Sequence, residues 1–177
     1  MSRYSILKAL LALFALTACQ TTAYPPLPTV PQVDLARFMG DWYVIANIPT
    51  FIENNAHNPV ESYRLNADGS IATTFTFRKN GFDGETKIYR PTGYVIDTRS
   101  NAIWGMQFVW PIKSDYRIVY LNADYTQTIV AREKRDYVWI MARTPGIPED
   151  DYERLIALIA RAGYDVGNIQ RVPQKWN

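Results

Sequence analysis

From Asp41 onward, apolar and polar positions follow one another in short runs, most with a period near two, each ended by turn residues. The runs cover residues 42–48, 60–65, 71–78, 86–97, 102–108, 116–121, 127–132 and 137–143. They are rich in Val, Ile, Thr and aromatics, which fit a pleated, half-buried surface, and Asp68-Gly69 and Asn80-Gly81 suit tight hairpin turns. The pattern predicts eight antiparallel strands in up-and-down order. An open sheet of that kind leaves two unpaired edges, and closure into a barrel removes them. One segment changes period: over 148–162, Tyr152, Leu155, Ile156, Ile159 and Ala162 recur at helical spacing, behind Pro148, Glu149, Asp150 and Asp151 and ahead of Gly163. A strand-like stretch, 168–172, trails it. The predicted fold is all-β, an eight-stranded up-and-down antiparallel barrel with one C-terminal amphipathic helix packed outside.

Alternation also assigns faces. Trp104, Met106 and Phe108 share one side of their strand, and Ile71, Thr73, Phe75 and Phe77 share one side of theirs. Tyr116, Ile118 and Tyr120 oppose Arg117, and Trp139 and Met141 lie on the face of Tyr137. An eight-stranded barrel holds either packed side chains or one small ligand. The expected ligand lining is therefore Phe75, Phe77, Trp104, Met106, Phe108, Tyr116, Ile118, Trp139 and Met141. Residues 137–142 do not alternate, so this strand should be covered on both faces, with the helix as outer cover. Glu61 can share the inward face with Tyr63, where its carboxylate, near the mouth, would meet a choline or ethanolamine head group; the competing placement is at the rim, paired with a surface arginine. Segment 49–59, with Phe51, Ile52, Glu53, Asn54, Asn55 and His57, is long enough to be a loop over the mouth. Val109, Trp110, Pro111 and Ile112 form a second apolar loop, suited to ligand, membrane or a homodimer contact.

Ahead of the barrel the chain changes character. Arg3 and Lys8 precede an apolar core at 9–16, followed by Thr17, Ala18 and the only cysteine, Cys19. A core that short does not span a bilayer, which takes about 20 apolar residues, and the three-part build is that of a cleaved secretory signal. Leu16-Thr17-Ala18-Cys19 resembles the lipobox of bacterial lipoproteins, whose cysteine is acylated, with palmitate among the chains, and becomes the mature N-terminus. Gln20, in place of the aspartate associated with inner-membrane retention, implies by the same resemblance the outer membrane, on the periplasmic side. Domain boundaries follow: a signal at 1–18, an anchor and Pro-rich linker at 19–32 that reads as an extended spacer, with packing of Leu27 to Pro31 against the domain as the alternative, and a barrel domain at 33–177. Removing the signal leaves 159 residues with 17 basic and 17 acidic side chains, so no charge excess points to nucleic acid.

Three motifs carry a family resemblance. Gly40-Asp41-Trp42-Tyr43 at the first strand, Asp124-Tyr125 between two later strands and Arg143-Thr144-Pro145 after the eighth resemble, in order and spacing, the signatures of lipocalins. With the lipoprotein signal and the helix after strand eight, the likeness is to the bacterial outer-membrane lipoprotein (Blc-type) branch and spans residues 33–174. It implies that Gly40, Trp42, Asp124, Tyr125 and Arg143 build the fold, with Arg143 laid over the Trp42 indole at the closed end. It also implies a fatty acid or lysophospholipid as ligand, held in the barrel without a cofactor. Enzymatic readings lack material: His57 is the only histidine, Cys19 is committed to lipid, and no nucleophile-elbow or phosphate-loop motif is present. Two classes stay open: a lipid carrier, with a binder of flat pigment or tetrapyrrole-like molecules as its variant, and a non-enzymatic envelope interaction protein with a filled barrel.

Overall fold

The computed structural model describes residues 24–176; the signal segment and Cys19 lie outside the described residues. A short helix α1 (Leu35–Phe38) leads into β1 (Gly40–Ile48), β2 (Ala56–Leu65), β3 (Ile71–Lys79), β4 (Thr86–Tyr89), β5 (Thr92–Val95), β6 (Ile103–Val109), β7 (Ile112–Leu121), β8 (Gln127–Ala131) and β9 (Val138–Ala142). Helix α2 (Glu149–Arg161) and a two-residue strand β10 (Gln170–Arg171) on the outer edge of β1 complete the chain. Every neighbouring pair is antiparallel, and β9 returns to β1 with Tyr43 opposite Ala142 and Ile48 opposite Val138. The barrel is closed, with β4 and β5 as two halves of one stave.

That broken stave departs from the single strand expected over 86–97. Pro91 has no N–H to give a ladder, so only its carbonyl serves, accepting from Thr73 N–H at 3.1 Å. Consequently β4 pairs only with the outer half of β3, whereas β5 bridges β3 and β6. The loop expected over 49–59 is shorter as well. Asn55 and Asn58 take positive φ, an irregularity lies between His57 and Val60, and β2 already begins at Ala56. Residues 109–112 likewise close as a two-residue hairpin, because β7 begins at Ile112.

Two apolar layers flank the β8–β9 wall. Trp139, Met141 and Val130 point into the barrel, while Val138, Ile140, Ile129 and Ala131 point out and are covered by Leu155 and Ile159 of α2. The non-alternating run is explained by this double burial. Tyr164, beyond the helix, pins it by donating to the carbonyl of Arg132 at 2.8 Å.

The Pro-rich segment is extended, but it is docked rather than a free spacer. Leu27 is buried between α2 and the barrel wall, Val30 N–H donates to the Ile118 carbonyl at 3.0 Å, and Val33 N–H to that of Ser100 at 2.7 Å. Prolines keep the backbone straight without consuming donors, and the one leucine among them supplies an apolar side chain to bury.

Candidate ligand-binding site

The closed end is fixed by a guanidinium. Arg143 lies 3.8 Å over the Trp42 ring and donates to five carbonyls: Tyr125 from Nε, Asp41 from Nη1, and Arg37, Phe38 and Met39 from Nη2. Trp42 Nε1 donates to the Phe38 carbonyl at 2.9 Å, so α1, β1 and the end of β9 are tied at one point. Gly40 is needed here: its φ is +93°, and a Cβ would stand 3.3 Å from Arg143 Nη1. Tyr125 binds the same corner, its hydroxyl accepting from Asp34 N–H at 2.9 Å and its ring lying under Arg37. Asp124 is an exposed turn residue.

Above this plug the inward faces converge largely as alternation predicts. Trp104 and Tyr116 stack with ring centroids 4.9 Å apart, and Phe38 meets Trp104 edge-on. Phe75 and Phe77 pack with Tyr89 on the neighbouring strand β4, and Ile118, Met106 and Met141 join the same cluster. Eight of the nine expected lining residues belong to this interior cluster. Phe108 does not: an irregularity between Met106 and Val109 takes the end of β6 out of the alternation, and Phe108 is 48% exposed at the rim. Val44, Val130 and Tyr89 join the lining unpredicted.

Packing is uneven across the interior. Trp104, Ile118, Phe77 and Met141 are fully buried, whereas Glu61 and Trp139 keep a partly accessible face. Two cavities, of about 530 and 470 Å³, lie on the outside, one by the β3–β4 hairpin and the C-terminal tail, the other under α2.

Glu61 faces inward, opposite Trp42 on β1 and Phe75 on β3. Burial pushes its carboxyl up to about 8, the charge of Glu53 adds to the rise, and the Tyr63 hydroxyl works against it. Tyr63 and Tyr116 join hydroxyls at 2.8 Å, and burial followed by the charge of Glu61 raises both phenols well above their usual range. The Thr73 hydroxyl, opposite Tyr63 and buried, has no partner among the described residues. Its place opposite Trp42 lies toward the closed end, neither near the mouth nor at the rim beside a surface arginine as the sequence suggested, because the ladder carries Glu61 down the barrel with Trp42 and Phe75.

A family model described as a lipocalin-like domain matches residues 33–174. The chain belongs to the lipocalin-like family. It is 27% identical over 173 residues to the outer membrane lipoprotein Blc of Citrobacter freundii, covering 96% of each chain. It is 29% identical over 157 residues to temperature-induced lipocalin-1 of Arabidopsis thaliana, covering 84% of this chain and 83% of that one. Among solved structures, insecticyanin from the tobacco hornworm Manduca sexta shares the fold, with a TM-score of 0.65 at 14% identity over 86% of each chain.

Membership and the Blc likeness support binding of a small hydrophobic ligand, since lipocalins are in general binding and transport proteins. In this lipocalin the polar residue that sequence reading did not single out as a site residue is Glu53. Although it sits in the mouth loop, its carboxylate is buried and accepts from Trp139 Nε1 at 2.7 Å, from Asn47 Nδ2 at 3.2 Å, and from the Thr50 N–H and hydroxyl. The loop is thereby latched onto the inner wall. Thr50 is a local partner, but the donors that draw the carboxylate onto the wall, Asn47 and Trp139, lie on β1 and β9, 86 positions away in the case of Trp139. Among the described residues, no group of three or more His, Cys, Asp or Glu side chains is placed to hold a metal.

Proposed function

We propose that this lipocalin carries single-chain amphiphiles, fatty acids or lysophospholipids, in the bacterial envelope, tethered to the outer membrane through acylated Cys19 and acting without covalent change to its cargo. The observation that carries the reading is the composition of the interior: aromatic and aliphatic side chains with two polarizable methionines, Met106 and Met141, around the buried polar group of Glu61, Tyr63 and Thr73. Burying a methylene contributes about 0.8 kcal/mol, so a ten-carbon stretch offers roughly 8 kcal/mol against the costs of association and of displacing packed rings. Glu61 and Tyr63 are the head-group contacts, and Phe75, Phe77, Trp104, Tyr116, Ile118 and Trp139, with the two methionines, are the acyl-chain contacts. Phe108 belongs to the entrance.

Close packing about Trp104, Phe77 and Ile118 favours a second reading, a filled barrel whose loops bind a partner. Native mass spectrometry of the purified protein separates the two. A carrier retains a lipid or takes up one equivalent of added lysophosphatidylcholine or palmitate; a protein that takes up neither is the filled-barrel interaction protein. A flat, ring-shaped ligand retained instead would move the assignment to the pigment-type variant.

A further inference from the structure

The most exposed apolar side chains gather at one end of the barrel, where chain ends and loops surround the mouth. The β6–β7 hairpin presents Val109, Trp110 and Ile112, with Trp110 82% exposed, and residues 108–112 carry no charge. The β1–β2 loop presents Phe51, 83% exposed. Strand order places the connection between β8 and β9 between these two tips on the rim. The described chain begins beside that connection. Arg135, which lies in it, donates from Nη2 to the Pro25 carbonyl at 2.7 Å and stands over the Tyr24 ring. From there the segment runs down the outer wall to Ser100 near the closed end. Tyr24, the first described residue, therefore lies at the mouth, with an apolar tip on either side. Cys19 is five residues away, a reach of at most about 17 Å.

We propose that the mouth docks on a lipid leaflet, with Trp110, Val109, Ile112 and Phe51 immersed in its interface and the barrel opening directly onto the lipid. Single exposed apolar residues are ordinary; a tryptophan and three large apolar side chains on tips flanking one opening are the pattern of a membrane-interface contact. The uncharged hairpin tip makes this an apolar immersion rather than attraction of a polybasic patch to anionic lipid. A tether too short to let the barrel turn its closed end to the membrane holds the same face down. The inference rests on the carrier reading for its purpose, since it names the leaflet as the source of the cargo.

The test uses the full-length protein reconstituted in phosphatidylethanolamine–phosphatidylglycerol vesicles that contain lipid brominated near the glycerol backbone. Tryptophan emission is compared between wild type and Trp110→Ala, a variant at an exposed position whose folding is checked by circular dichroism. Docking predicts that wild type is quenched, that quenching falls about threefold or more in the variant, and that high salt does not abolish it. Vesicle-bound wild type whose Trp110 emission is untouched by brominated lipid overturns the proposal. So does a Trp110 shielded by a second copy, seen as a dimer by sedimentation with no quenching. Lysophosphatidylcholine uptake, measured in parallel, separates this from the carrier reading: uptake without quenching overturns docking alone, and quenching without uptake supports docking while overturning the carrier.

Discussion

Arg143 and Glu61 show opposite uses of a charged side chain at nearly neighbouring points of the barrel. Arg143 donates to five carbonyls, sharing that of Phe38 with Trp42 Nε1, and covers Trp42, so Arg143→Ala should cost about 3 kcal/mol of stability, read as a lower urea midpoint. Affinity for lysophosphatidylcholine, measured where the variant is still folded, should change little, because the guanidinium lies at the end away from the mouth. Equal loss of both would place Arg143 in the ligand site. Arg143→Lys should rescue only part of the loss, since one ammonium cannot span the five carbonyls. Glu61 instead stays protonated when folded and ionises freely when unfolded. The folded state then binds the extra proton between about pH 4.5 and 8, so stability falls as pH rises through that window and levels off above it. In urea unfolding, wild type should lose stability relative to Glu61→Gln between about pH 5 and 8.5, and a constant difference across that range would contradict the assignment. The inward direction of Glu61 was legible from Tyr63 two positions on; its depth was not, because that depends on Trp42 and Phe75 across the ladder.

Elements were legible where one period covers a whole run and lost where the backbone interrupts it. Strand β3 and helix α2 emerge close to the spans their patterns predict, since each has an unbroken face to bury; β1 does so despite an irregularity between Val44 and Ala46, and β8 because it is buried on both faces. Irregular pairing accounts for the misses: β6 carries Phe108 out to the rim, and Pro91 divides the stave between β3 and β6. The Pro-rich segment is the sharpest case. Its composition speaks for an extended backbone, which it has, but composition says nothing about whether Leu27 finds a cavity, and the wall beneath α2 offers one. Leu27→Ala should therefore cost about 2 kcal/mol and speed hydrogen exchange at the amides of Val30 and Val33, which this segment donates to the barrel. Exchange that stays at the wild-type rate would mean the strap holds through its backbone alone.

At the scale of the whole molecule, the fold separates what keeps the barrel shut at one end from the mouth at the other, and the first described residues, Tyr24 and Pro25, belong to the second. The surroundings of Cys19 mark it as an expected anchor, outside the described residues; that Tyr24 and Pro25 sit at the mouth was not legible, because it depends on Arg135 reaching Pro25 across 110 positions. With Cys19 acylated as proposed, a tether of at most about 17 Å would multiply encounters between mouth and leaflet without adding a contact to the ligand. Affinity and delivery should therefore come apart in Cys19→Ser. Its equilibrium affinity for lysophosphatidylcholine offered in solution should match wild type within about twofold, while the rate of lysolipid uptake from vesicles, followed by stopped-flow fluorescence at equal protein concentration, should fall by about tenfold or more. If affinity falls with the rate, the anchor is part of the binding site itself; if neither falls, the apolar rim alone brings the mouth to the membrane.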